Sequence, residues 1–302
     1  MTGWGSACAT VAGACQAMRA ALITHHAAII AALLLLALPS ADAAASAIDH
    51  EHRAWTQLLR KHVVLLDGGT ASRVNYAGLG KDREALKSYR EALSQVPDHE
   101  FKRWSKGQQL AFLINAYNAA AIAKILTRYP RIGSIWDFGR LFGNPFKDRF
   151  VRLLGGELSL DDIEHDWIRG EGRYNEPRIH FAVNCAAIGC PALREEAYVA
   201  DRLDAQLEGQ TRRFLSDGSR NRYDPASGRL EASRIFDWFK DDWSSGYRGF
   251  MGTSQPVRSR EEFLANYAEL LADAPEHRSL IRAQRAPLSF LDYDWGLNDV
   301  NP

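Results

Sequence analysis

Apolar residues recur at helical spacing where the polar part of the chain begins. Ile48, Trp55, Leu58, Leu59 and Val63 share one side of a helix expected over 46–64. Asp67-Gly68-Gly69 ends it, and Arg73-Val74-Asn75-Tyr76 follows as a short extended piece. A second helix is expected over 81–95, with Leu86, Tyr89, Arg90 and Leu93 in register and Pro97 as its stop. The longest periodic stretch, 106–128, is rich in Ala and Leu and apolar on more than one face. A helix of that kind sits at the centre of a core; Tyr129-Pro130 closes it. Residues 149–158 read as two short strands about Gly155-Gly156. Ser159 then caps a helix running through Arg169, Asp162 completes a capping-box pattern, and Gly170 ends the segment.

After Pro177, Ile179, Phe181 and Val183 fall at alternate positions, which predicts a buried strand over RIHFAVNCA rather than a short helix. An amphipathic helix is expected over 200–215 and a hairpin over 220–233 around Pro225-Ala226-Ser227-Gly228. IFDWFKDDW at 235–243 reads as a short aromatic helix, 244–258 as loop, and 259–272 as a helix with Ser259 as cap and Glu262 in the box position. Leu288, Phe290 and Leu291 predict a last strand. No repeat, low-complexity tract or linker interrupts the series. The expected architecture is α+β: one domain over 44–302, a helical body around the central 106–128 helix, with a small mostly antiparallel sheet.

The N-terminus changes the picture. Residues 27–38, AAIIAALLLLAL, form an apolar run short for a bilayer span but suited to the core of a signal peptide. Pro39 and Ser40 break it, and Ala41-Asp42-Ala43 supplies the small residues of a cleavage site. Arg19 is the only cation before the run, directly after Met18, a possible alternative start. Residues 1–43 are therefore expected to be a leader, and the domain to be periplasmic or secreted with no membrane span after cleavage. The 302-residue chain carries 37 Lys plus Arg against 37 Asp plus Glu. Loss of Arg19 and Asp42 with the leader keeps the product neutral. Nothing in that balance favours nucleic acid. No cofactor is implied, and partners are not indicated.

Candidate chemistry concentrates at His180, Asn184, Cys185, Cys190 and Arg194. Cys8 and Cys15 lie in the leader, so Cys185 and Cys190 are the thiols of the domain, and an oxidising compartment permits a bridge between them. The small spacer Ala186-Ala187-Ile188-Gly189 and the turn signal Gly189-Cys190-Pro191 would fold the chain back far enough to bring them together. A nucleophilic Cys185 needs a base such as His180 and an orienting group such as Asn184 or Glu164. A strand would set His180 and Cys185 on opposite faces and a helix would set them about 500° of rotation apart, so they meet only if the chain bends near Asn184. The alternative is a buried structural Cys and a hydrogen-bonded His. Glu164 borders the apolar side of its helix, and a buried carboxylate wants a cation; Arg194 is the candidate.

Asp161 and His165 share a helix face but lack the spacing of a metal site. Asn115 and Asn118 on the central helix either tie loops to the core or face a cleft and hold a polar ligand. Asp292, Asp294 and Asn298 form another polar set beside Tyr293 and Trp295. The Trp residues either line a carbohydrate cleft or fill the core.

Six segments in order carry a family resemblance: VNYAGL at 74–79, LAFLINAYNAAAIAKIL at 110–126, LSLDDIEHDWIR at 158–169, PRIHFAVNCAAIGCPALR at 177–194, IFDWFKDDW at 235–243 and FLDYDWGLN at 290–298. Together they resemble the domain of unknown function 547 family. The resemblance implies a place among exported bacterial proteins and, within larger chains, plant proteins, with no assigned activity. In that family the position of Cys190 is sometimes Ser and that of His180 varies, which implies that neither a Cys185–Cys190 bridge nor His180 is obligatory. Two classes of function remain. One is an exported hydrolase or transferase, thiol-based or not, with Cys185, His180 and Glu164 as catalytic groups and Asn115, Asn118, Arg194 and Asp294 as binding groups. The other is a non-catalytic ligand-binding or interaction protein of the envelope.

Overall fold

Ser105 opens the helix at the centre of the larger core. Its hydroxyl accepts from the Gln108 amide while the Gln108 side chain accepts from the Ser105 amide, a closed capping box. The helix runs Lys106–Leu126, and residues on every face of it are buried. In the computed structural model, which describes residues 48–139, 143–170, 173–244, 246–248 and 256–301, this is the one described helix long and apolar enough to cross a membrane. Its burial identifies it instead as the core helix of the fold. The expected leader, 1–43, lies outside the described residues.

Helices Arg53–His62 and Arg83–Ser94 pack around the central helix through Trp55, Leu58, Leu86, Tyr89 and Leu93, with Trp55 stacked on Tyr89 at 5.5 Å. A second core lies beyond it, built on Phe181, Phe214, Phe236, Trp243 and Phe263. Helix Leu203–Leu215 links the two: Leu203 and Leu207 enter the first core, Phe214 and Leu215 the second. Residues 48–302 form a single compact unit.

The fold is α+β, as the sequence pattern predicts, but its strands are divided among three small sheets. β1 (Val63–Leu66) pairs antiparallel with β2 (Ala71–Val74), and β3 (Val151–Leu153) with β4 (Gly156–Leu158). β5 (Arg222–Asp224) pairs antiparallel with β6 (Arg229–Ala232), and β6 pairs parallel with β7 (Leu288–Phe290).

Three local expectations need correction. The first helix stops at His62 rather than at 64, because Val63 and Val64 start β1 and the left-handed Asp67, Gly68 and Gly69 turn the chain into β2. Pro275–Arg282 is a helix that the hydrophobic pattern does not announce; its signal is Pro275 in the first turn. The strand expected over 178–186 is instead opened by a 3-10 turn, Pro177–Phe181. Pro177 begins it and the Glu176 carboxylate caps it by accepting from the Arg178 amide at 3.0 Å. The alternation of Ile179, Phe181 and Val183 serves two cores rather than two faces of a sheet: Ile179 and Val183 join the first, Phe181 the second.

Candidate functional site

Six separate stretches of chain converge on one open cavity of about 380 Å³. The helix opened by Ser159 supplies its acid. The Ser159 hydroxyl accepts from the Asp162 amide and the Asp162 carboxylate accepts from the Ser159 amide, both at 2.9 Å, so the predicted box is present. The helix widens into a π turn over Asp162–Ile168, where the Arg169 amide reaches the Glu164 carbonyl. Ile163, Glu164 and Ile168 face inward and are buried. Asp161 and His165 stand at the rim, 3.4 Å apart, with Arg169 in contact with His165.

Tyr117 comes from the central helix and hydrogen-bonds Glu164. His180 comes from the 3-10 turn. Its Nε2 lies 2.7 Å from Asp242, a residue of the turn Lys240–Ser244, and its ring stacks on Phe239 at 3.8 Å between centroids. Asp242 in turn takes a two-pronged pair from Arg169, at 2.6 and 2.9 Å. With Nε2–H donating to Asp242, His180 keeps its lone pair on Nδ1. That atom is buried without a hydrogen-bond partner and lies 3.8 Å from a Glu164 oxygen, too far for a hydrogen bond.

A 3-10 turn stands here in place of a strand or a regular helix, and His180 and Cys185 both line the cavity. Asn184 donates to the Pro191 carbonyl and accepts from the Ala186 amide, and Ala186 adopts a left-handed φ of 65°. Cys185 and Cys190 form a disulfide, with their Cα atoms 6.3 Å apart. The Tyr293 hydroxyl lies 3.3 Å from Cys185 Sγ and 3.2 Å from Cys190 Sγ. The outer wall is aromatic: Trp136, Phe146, Trp238, Tyr293 and Trp295. Trp238 stacks on Trp295 at 5.7 Å, and Trp136 meets Trp295 edge-on at 5.4 Å. Trp136 and Trp238 are among the few large apolar side chains left exposed.

The electrostatics divide three ionisable groups into three states. Burial raises the Glu164 carboxyl to about 7, against the opposing Arg169 charge and the Tyr117 hydrogen bond. Burial lowers His180 to about 4, outweighing its hydrogen bond to Asp242. Burial also acts to raise Asp242, but the hydrogen bonds from His180 and Arg169 prevail and hold it well below the carboxylate range. At neutral pH the site therefore holds an ionised Asp242, a neutral His180 and a Glu164 poised to give or take a proton.

The cavity gathers the three residues expected as catalytic groups, Glu164, His180 and Cys185, together with Cys190. The expected Glu164–Arg194 pair does not form: Arg194 is held 2.7 Å from Glu196, two residues along its own loop. Tyr117 hydrogen-bonds Glu164 and the Arg169 charge partly offsets its burial instead, while Asp242 acts with burial to raise it. Asn115 grips the backbone of Tyr198 through both amide atoms, at 2.8 and 3.0 Å. Asn118 donates to the Ala182 carbonyl and accepts from the Asn184 amide. Both asparagines position loops, as one of the two sequence readings has it. Asp294 accepts from the Gly296 amide within an exposed turn. Sequence reasoning missed Tyr117, Asp242 and Tyr293 as site residues. Their signal was the clustering of Tyr and Asp inside the same segments that carry the family resemblance.

Residues 101–215 match the model of the family described as Protein of unknown function, DUF547, which supports the resemblance read from the six segments. The matched span includes Tyr117, Glu164, His180, Cys185 and Cys190, the inner half of the cavity. No curated protein and no solved structure matches the chain.

Proposed function

We propose that this protein is an exported acid–base enzyme, a hydrolase or transferase, whose substrate lays a ring or other flat apolar face against Trp136, Trp238 and Trp295. The observation that carries the proposal is Glu164: a buried carboxyl raised to about 7, opening on an aromatic cavity of about 380 Å³ beside a His180–Asp242 pair. A general acid works best with a pKa near the working pH, and a carboxyl attains that only through such burial. Cavities of this size, largely apolar with a few convergent polar groups, are the usual form of a small-molecule site. In the proposed step Glu164 gives its proton to the leaving group. His180 Nδ1, with Asp242 fixing the opposite nitrogen, accepts the proton of the attacking water or acceptor hydroxyl. The aromatic wall orients the substrate through stacking and desolvates the reacting bond. With its sulfur in the disulfide, Cys185 offers no thiolate, so this reading uses no covalent thiol step.

The test is turnover by the full chain of p-nitrophenyl esters and p-nitrophenyl glycosides, compared with Glu164→Gln and His180→Gln. Support is release of nitrophenol from one of the two classes that falls at least tenfold to a hundredfold in each variant. No turnover of either class, or turnover equal in Glu164→Gln, would leave the cavity to the non-catalytic ligand-binding alternative.

A further inference from the structure

We infer that the Cys185–Cys190 disulfide is a redox centre that exchanges with thiols entering the aromatic cavity, with Cys185 as the sulfur attacked and Cys190 as the sulfur that leaves.

The surroundings of the two sulfurs differ in the way exchange requires. Cys185 is half-buried and Cys190 is buried, and both line the cavity. The Cys185 amide points at Cys190 Sγ at 3.0 Å, and the Tyr293 hydroxyl lies 3.2 Å from the same sulfur. The Tyr293 hydroxyl is also 3.3 Å from Cys185 Sγ, so it can serve either sulfur, while the Cys185 amide is aimed at Cys190 alone and favours negative charge there; a stabilised thiolate is the better leaving group. Tyr293 is held there by a close fit. A side-chain carbon at position 189 would meet three atoms of its ring at 3.0 Å, so only glycine admits the ring at this distance.

The bond is also not what shapes its loop. Asn184 clamps the loop ends through the Pro191 carbonyl and the Ala186 amide, while the Ile188 and Gly189 amides donate to the Gly296 and Asp294 carbonyls at 2.8 Å. A bridge across five positions restrains an unfolded chain less than a long-range one. The segment can therefore keep its form with the bond open.

The step balances as follows. A substrate thiolate attacks Cys185 Sγ, the sulfur–sulfur bond breaks, and its electron pair leaves on Cys190 Sγ. A second substrate thiolate attacks the substrate sulfur of the mixed disulfide and releases Cys185. Two thiols are oxidised to a disulfide, the protein disulfide is reduced to two thiols, and the two substrate protons end on Cys185 and Cys190, with Glu164 in the same cavity to relay them. A disulfide arriving from an oxidising compartment reverses the sequence and restores the bridge.

The experiment incubates the native full chain in graded mixtures of reduced and oxidised glutathione, quenches with acid, alkylates, and reads Cys185 and Cys190 separately by peptide mass spectrometry. This separates them from Cys8 and Cys15. The expected result is reversible opening without denaturant, with the acid-trapped glutathione adduct of the wild-type chain on Cys185 and opening slowed about tenfold in Tyr293→Phe. Opening of the wild-type chain is read first and needs no variant to fold. A pair that stays closed in every mixture until denaturant is added, or glutathione trapped on Cys190, would overturn the inference. Neither outcome depends on the acid–base proposal, which is judged on nitrophenol release.

Discussion

Replacing Glu164 with Gln should make the protein more stable at high pH and nearly as stable at low pH. Folding moves this carboxyl from an ordinary value of 4.5 to about 7. A carboxyl raised by folding is protonated in the native chain and ionised in the unfolded one over the interval between the two values. Its contribution is fully favourable below 4.5 and is lost as the pH rises through 7. At about 1.4 kcal/mol per pKa unit, the full interval corresponds to roughly 3 kcal/mol of destabilisation above pH 8. At pH 5 the unfolded carboxyl is mostly ionised and the native one is not, so only about 1 kcal/mol has been lost there. Gln has the shape of the neutral acid and can keep the Tyr117 hydrogen bond. Urea unfolding of the wild type and Glu164→Gln at pH 5 and pH 8 should therefore show their stability difference growing by about 2–3 kcal/mol in favour of the variant. The reasoning fails if the two curves stay parallel between those pH values, because the carboxyl would then not be titrating in the buried site.

Other consequences follow from particular contacts. Asn118→Ala removes the partners of the Ala182 carbonyl and the Asn184 amide, two buried backbone groups. At about 1–3 kcal/mol for each, chemical denaturation should show a loss of roughly 2–6 kcal/mol. Arg178→Met leaves Glu176 buried with no cation, since Arg178 Nη2 is 2.8 Å from its carboxylate and the Glu176 side chain is fully enclosed. Its thermal unfolding should reveal a cost of about 3–5 kcal/mol. If the N-terminal segment is a leader, sequencing of protein recovered from the periplasm or medium should start within a few residues of Ala44; recovery of the 27–38 segment in a membrane fraction would refute it.

Much of the architecture was legible because periodicity reports burial directly. The central helix, the Ser159 capping box and the Val151–Leu158 hairpin stand where the pattern places them, each specified by residues adjacent in sequence. The Pro177–Phe181 turn misled because its alternate apolar residues point into two different cores, a distinction that only the tertiary fold creates. The site was legible in part for the same reason. Glu164, His180 and Cys185 are visible as reactive residue types, with a bend near Asn184 as the condition for His180 and Cys185 to meet. That Asp242 rather than a neighbour orients His180, across 62 positions, is fixed by long-range packing on Phe239. Charge and its place just past a Pro-containing turn point Arg194 to Glu164, while Glu196, two residues away from it, competes at almost no entropic cost.

The central claim is that Glu164 acts as an acid in an aromatic substrate cavity. The most direct test is the pH profile of nitrophenol release from the p-nitrophenyl substrate class that the wild-type chain turns over. The rate should be high below neutral pH and fall through a midpoint near 7 as Glu164 loses its proton, and that limb should vanish in Glu164→Gln. A profile with no limb near 7, or the same limb retained in Glu164→Gln, would contradict it.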